Sequence, residues 1–122
     1  MLLPAGGRKG RTPAWPLPGT ADRDEKTAWA QLWKTPQAVA WEQLGWTRTV
    51  ARYCRVMVAS ERPGANASLL GQVTAMEDRL GLTPKAMRLL LWRITDDEVG
   101  AKRTAKASTP SVEPRRLAAV DD

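Results

Sequence analysis

Six helix-start signals follow one another from Asp22 to Thr95, and no stretch between them reads as a strand. Asp22 with Glu25 three residues on fits a capping box, predicting a helix to about Trp33 with Trp29, Leu32 and Trp33 on one face. Thr35-Pro36 offers an N-cap and a first-turn proline for a short second helix closing near Gly45, with Trp41 and Leu44 inward. Thr47 caps a third helix to about Arg62, and ERPGAN makes the turn. Asn66 caps a fourth, whose Leu69, Val73, Met76 and Leu80 recur at helical spacing up to a terminating Gly81. Thr83-Pro84 opens a fifth, with Leu82 able to staple onto Met87. Thr95 with Glu98 starts a weak sixth, whose Asp96, Asp97 and Glu98 suit the positive end of a helix dipole. The fold expected is all-α: a small helical domain with a central antiparallel hairpin of the third and fourth helices and mobile basic N- and C-terminal arms.

At 122 residues the chain has room for one domain. Residues 1–19 hold four prolines and four glycines and read as an extended, disordered basic arm. Residues 20–95 form the helical core and oligomerisation domain, and 96–122 the weak helix and a disordered tail. A core of roughly 80 residues supplies only about 3–5 kcal/mol. Small cores gain stability from disulfides, metals or oligomerisation. The single cysteine excludes an internal disulfide, and the absence of histidine disfavours the usual zinc sites, which leaves oligomerisation.

Nineteen Lys and Arg against thirteen Asp and Glu give a net charge of +6. Arg8, Lys9 and Arg11 stand in residues 1–19 without an acid, and Lys102, Arg103, Lys106, Arg115 and Arg116 stand in the tail. Basic arms on a near-neutral middle suit a polyanion, above all nucleic acid. A solvated tail that aids solubility is the plainer alternative. No apolar run reaches the ~18 residues that span a membrane. The start MLLPAGGRKG is too short an apolar run for a signal peptide, so a cytosolic protein is expected. GGRKGRT has Arg11 where a phosphate-binding loop needs lysine and has no strand before it, so that reading is rejected.

On the third helix Arg48, Arg52, Arg55 and Arg62 fall on one stripe, opposite Val50, Cys54, Met57 and Val58. Like charges one turn apart cost a few tenths of a kcal/mol per pair. DNA phosphates, or acids such as Glu77 and Asp78 on the next helix, would offset that, and an ordinary solvated face is the alternative. Cys54 is read as a core residue, since no histidine could activate it. On the fifth helix Leu89, Leu90, Leu91, Trp92 and Ile94 cover most of the circumference. A helix apolar nearly all round is buried on several sides, which a domain this small cannot provide, so these residues are the expected oligomer interface. Trp29, Trp33, Trp41 and Trp46 are read as core, and Trp15 as a partner contact. No histidine, metal-ligand cluster or nucleotide loop appears, so no enzyme and no cofactor are expected.

LGWTRTVARYC (Leu44–Cys54), AMEDRLGLTPKAMRLL (Ala75–Leu90) and the basic GRKGRTP (Gly7–Pro13) together resemble the phage terminase small subunits. The likeness is to the HK97-like group and its actinobacterial phage and prophage branch. That family similarly shows an apolar-Gly-apolar-Thr helix start, a Tyr-Cys or Tyr-Ala pair one or two turns later, and a closing Leu-Gly-Leu-Thr-Pro. Val50 stands where many members have Asp, and Met87 where many have Arg. The resemblance implies a non-enzymatic protein of the host cytoplasm that assembles as a homo-oligomer, in this family a ring. Such a protein recognises double-stranded viral DNA and delivers it to a large terminase subunit carrying the ATPase and nuclease. DNA contacts are then expected at Arg8, Lys9, Arg11, Arg48, Arg52, Arg55 and Arg62, and the tail cations would touch DNA or the large subunit. Two other classes stay open: a dimeric helix-turn-helix regulator using the fourth and fifth helices, and a helical adaptor with no nucleic-acid role.

Overall fold

A computed structural model describes residues 1–95. The expected sixth helix and the cations Lys102, Arg103, Lys106, Arg115 and Arg116 lie outside the described residues. The domain is small and mostly helical. Its elements are β1 (Leu2–Leu3), α1 (Arg23–Leu32), α2 (Gln37–Leu44), α3 (Thr47–Ser60), α4 (Ser68–Arg79), α5 (Pro84–Leu89) and β2 (Arg93–Ile94). None of the described helices is long and apolar enough to cross a membrane.

Local chemistry explains most helix ends. Asp22 and Glu25 form the full capping box on α1, with Glu25 N–H donating to Asp22 Oδ1 at 2.9 Å and Asp22 N–H to Glu25 Oε1 at 3.0 Å. Thr35 Oγ1 accepts the Ala38 N–H at 3.2 Å, and α2 ends on Gly45 at φ 73°. Thr47 is the first residue of α3 rather than its side-chain cap. α4 ends in a Schellman turn: with Gly81 at φ 74°, the Leu82 N–H donates to the Glu77 carbonyl at 2.9 Å. Thr83 caps α5 by accepting the Ala86 N–H.

Two expectations need correction. Residues 1–19 are not a loose arm. Leu3 is fully buried, and β1 pairs in parallel with β2 in the register Leu2 to Arg93 and Leu3 to Ile94. Trp15 and Leu17 pack against the core. The proline and glycine content ruled out a helix there, but the apolar side chains in the same stretch give it burial to gain, and a core this small takes that layer. The fifth helix is the second. It stops at Leu89, with Leu91 left-handed at φ 61° and Trp92 turned inward, so no helix carries Leu89 to Ile94 as one apolar cylinder. The chain resolves the surplus of apolar groups by breaking the helix, and two short strands appear where none was expected.

The core is built on indoles. Trp15, Trp29, Trp33 and Trp41 form a continuous edge-to-face ladder, with centroids 5.1, 5.5 and 5.7 Å apart. Such pairs contribute about 0.5–1.5 kcal/mol each beyond burial. Trp46 and Trp92 form a tilted pair at 6.0 Å. Trp15 is therefore part of the fold's own packing and not a free partner contact, and its ring lies under Arg55 at 5.2 Å. Leu44, expected inward, is exposed. Cys54 is fully buried, and burial pushes its thiol up to about 12.

Candidate nucleic-acid interface

The arginine stripe divides along its length. Arg55 and Arg62 are held by α1 and its cap: Arg55 Nε donates to Glu25 Oε2 at 2.9 Å, and Arg62 Nη2 to Asp22 Oδ2 at 2.7 Å, with Asp24 at 3.6 Å. The acids that offset the stripe are thus on α1. Glu77 serves Tyr53 instead, accepting its hydroxyl at 2.8 Å, and Asp78 accepts from Thr83. Arg48 and Arg52, one turn apart and exposed, have no ion pair among the described residues.

The basic N-terminal segment divides likewise. Arg8 makes a two-pronged contact with Glu42, Nε to Oε1 at 3.1 Å and Nη2 to Oε2 at 3.0 Å, and lies over the Trp33 ring. Its hydrogen bond to Glu42 raises the guanidinium pKa and lowers that of the carboxyl. Its Nη1 also donates to the Arg11 carbonyl. Lys9 and Arg11 remain exposed without a carboxylate partner among the described residues, Lys9 Nζ reaching only the Gly6 carbonyl at 3.2 Å.

Residues 1–95 carry fourteen Lys and Arg against seven Asp and Glu. Four of those acids, Asp22, Asp24, Glu25 and Glu42, are engaged by Arg8, Arg55 and Arg62. The surface therefore presents cations with few carboxylates among them. Arg48, Arg52, Lys9 and Arg11 can bind an anionic backbone without first breaking an ion pair within the fold. Arg8, Arg55 and Arg62 would have to break one. Charge spacing in the sequence could not separate these two groups, because the acids that pair with the stripe come from a helix some thirty to forty residues away.

The expected oligomer interface also divides. Trp92 is buried within this chain's core, and Leu90 and Ile94 pack partly against it. Leu89 and Leu91 are 75% and 79% exposed. Met1 and Leu2, exposed beside Leu91, extend this apolar area, with the Met1 ammonium donating to the Leu91 carbonyl at 2.7 Å. Sequence reasoning gave Met1 and Leu2 no role, since only the β1–β2 pairing brings them there.

A groove of about 570 Å³ lies between α1 and the end of α3 and carries both signs of charge, being lined by Arg23 and Arg62 together with Asp24 and Glu61. Among the described residues no group of three His, Cys, Asp or Glu side chains could hold a metal. No protein-family model matches the chain, and neither does any curated protein or solved structure.

Proposed function

We propose that this protein is a DNA-backbone-binding, multi-copy subunit of a phage packaging machine, a terminase small subunit acting beside a large subunit in the host cytoplasm. The supporting observation is the surplus of surface cations with no ion pair among the described residues, above all Arg48 and Arg52 one turn apart on α3, while Asp22, Asp24, Glu25 and Glu42 are engaged by other arginines. The sequence resemblance gives the class, and the charge layout fits it. In this reading α3 and α4 form an antiparallel hairpin with Arg48 and Arg52 on its outer side, and Lys9 and Arg11 add further phosphate contacts. Sequence-independent attraction of this kind is strongly salt-dependent, with a slope near −0.9 per neutralised phosphate on duplex DNA. Several copies in one assembly multiply that slope.

The helix-turn-helix regulator is the weaker reading. Its recognition helix would be α5, which has six residues and exposes Leu89 at its end, whereas a groove-reading helix presents polar side chains to base edges.

The test is titration of labelled duplex DNA at several salt concentrations, together with the solution mass by light scattering. Binding that falls steeply with salt and varies little with sequence, from a particle of several copies, supports the proposal. A protein that fails to retain duplex at low salt would overturn it. A dimer bound to one palindromic site would instead support the regulator.

A further inference from the structure

Leu91 breaks two rules at once. It is the most exposed large apolar side chain among the described residues, and it holds a left-handed backbone at φ 61°. The hydrogen bonds identify the position. The Trp92 N–H donates to the Met87 carbonyl at 2.8 Å and the Leu91 N–H to the Arg88 carbonyl at 3.1 Å, so α5 ends in a Schellman turn with leucine where glycine is normally found. The preceding helix makes the same turn with Gly81 in that place. Glycine at 91 would relieve the backbone and remove an apolar group from water. At 79% exposed, the leucine buries little for the folded monomer.

Three further features surround it. Leu89, also exposed, ends α5 just before. A hollow of about 310 Å³ opens between the end of α4 and α5, floored by Ala86, Leu89 and Leu90 and rimmed by Arg79, Lys85 and Asp78. Asp78 is engaged with Thr83, while Arg79, Lys85, Arg88 and Arg93 have no ion pair among the described residues. The hollow thus has an apolar floor with Arg79 and Lys85 on its rim beside the engaged Asp78, and the exposed Arg88 and Arg93 flank Leu89 and Leu91 along the chain.

We infer that this surface docks an acidic amphipathic helix of another protein, with apolar anchors over Leu89, Leu91 and the hollow and carboxylates on the border arginines and lysine. Charge decides the occupant. Two copies of this chain meeting face to face would set Arg88 and Lys85 against their own kind, which costs affinity. A head-to-tail contact would need an acidic face, whereas four of the seven acids among the described residues are already engaged by arginines. A membrane is a poor match, because membrane-lying helices insert a long continuous apolar face, whereas α5 is short and the area beside it is concave. A groove with apolar anchor sites is how amphipathic helices are generally received. The inference does not depend on DNA binding.

The experiment uses the full chain and a fluorescent synthetic helix with a leucine stripe flanked by glutamates, against the same helix with lysines for the glutamates. The glutamate helix should bind at least about tenfold more tightly than the lysine helix, a difference of about 1.4 kcal/mol. Leu91→Gly should weaken it by a similar factor with no fall in melting temperature, as should the pair Lys85→Glu and Arg88→Glu. Arg48→Ala with Arg52→Ala should leave it unchanged, which separates this surface from the proposed DNA contacts. Equal affinity for both helices, or full affinity in Leu91→Gly, would overturn the inference. A solution mass that drops in Leu91→Gly would give the surface to a second copy. Binding to phosphatidylserine vesicles that Leu91→Gly abolishes would give it to a membrane.

Discussion

Arg55 of α3 reaches the carboxylate of Glu25 in α1, Nε to Oε2 at 2.9 Å, while Oε1 of the same carboxylate accepts the Asp22 N–H that closes the capping box. The Arg55 guanidinium also covers the Trp15 ring. One buried carboxylate thereby joins a helix start, a neighbouring helix and the N-terminal segment. Glu25→Gln keeps the shape and removes the charge. It should cost about 1–2 kcal/mol, since solvent screens the exposed arginine half of the pair. Urea denaturation would measure this, and an unchanged midpoint would remove Glu25 from this linking role.

The same contacts set the acid limit of stability. The Arg55 hydrogen bond holds the Glu25 carboxyl below its ordinary value of 4.5, and Arg8 does the same for Glu42. Asp22 is lowered first by the Glu25 N–H and then by Arg62. A carboxyl with a depressed folded pKa adds stability that is complete above its unfolded value and disappears as pH falls through the folded one. Melting temperature should therefore hold from neutral pH to about 5 and decline below the ordinary carboxylate range. The decline should be shallower in Glu25→Gln. Thermal melts across that range would show it, and parallel curves for the two proteins would count against the pair.

Arg48 and Arg52 lie on the same stripe as Arg55, yet their substitution should behave differently. Neither has an ion pair among the described residues, so Arg48→Ala and Arg52→Ala should leave the melting temperature nearly unchanged. If each meets one phosphate, each should reduce the salt slope of duplex binding by about one per copy. Arg55→Ala should lower stability instead. The prediction fails if Arg48→Ala and Arg52→Ala both keep the full slope.

Capping chemistry was legible at several helix ends because it is local, although Thr47 does not cap α3 and the N-cap residue of α4 is Ala67 rather than Asn66. The Asp22–Glu25 box, Gly45, Gly81 and Thr83 all stand where their residue types point. What was not legible depended on distant partners. Nothing near Leu3 reveals that it pairs beside Ile94, and nothing near Arg62 reveals Asp22. Trp15 reads as a contact residue because it stands between basic residues and prolines, and only the fold brings Trp29 and Arg55 to it. At the candidate site the sequence found the arginine stripe but could not tell which cations the fold uses. The apolar run at Leu89–Ile94 was visible as an excess, but helical periodicity assumed a helix that the left-handed Leu91 ends.

The end of α4 is fixed by side chains of α2. Trp41 Nε1 donates to the Leu80 carbonyl at 2.8 Å, and Gln37 Nε2 to the Gly81 carbonyl at 3.2 Å. Both bonds are buried, and the Leu80 carbonyl, at the C-cap of α4, is one that a helix end leaves open. Trp41→Phe would orphan the Leu80 carbonyl and leave space beside Trp33, its ladder neighbour. A loss of about 2–4 kcal/mol is expected, combining an unsatisfied buried acceptor with a cavity. Chemical denaturation would measure it, and a loss under 1 kcal/mol, about the net worth of a single hydrogen bond, would mean that α4 is held from elsewhere.

Leu91→Gly gives the opposite kind of stability prediction. A non-glycine residue in the left-handed region costs roughly 1–2 kcal/mol. Glycine returns about 0.5–1 kcal/mol of that through the larger entropy of its unfolded chain. Little burial is lost, because the side chain is 79% exposed. Leu91→Gly should therefore match or exceed the parent by up to about 1 kcal/mol, whereas Leu91→Ala, which keeps the backbone cost, should show no gain. Paired urea titrations of the two variants make the comparison. A fall of 2 kcal/mol or more in Leu91→Gly would show that the leucine packs within the fold, since exposed substitutions rarely move stability that far. A neutral or positive result would leave its exposure without a structural purpose, as expected of a side chain kept for contact with another molecule.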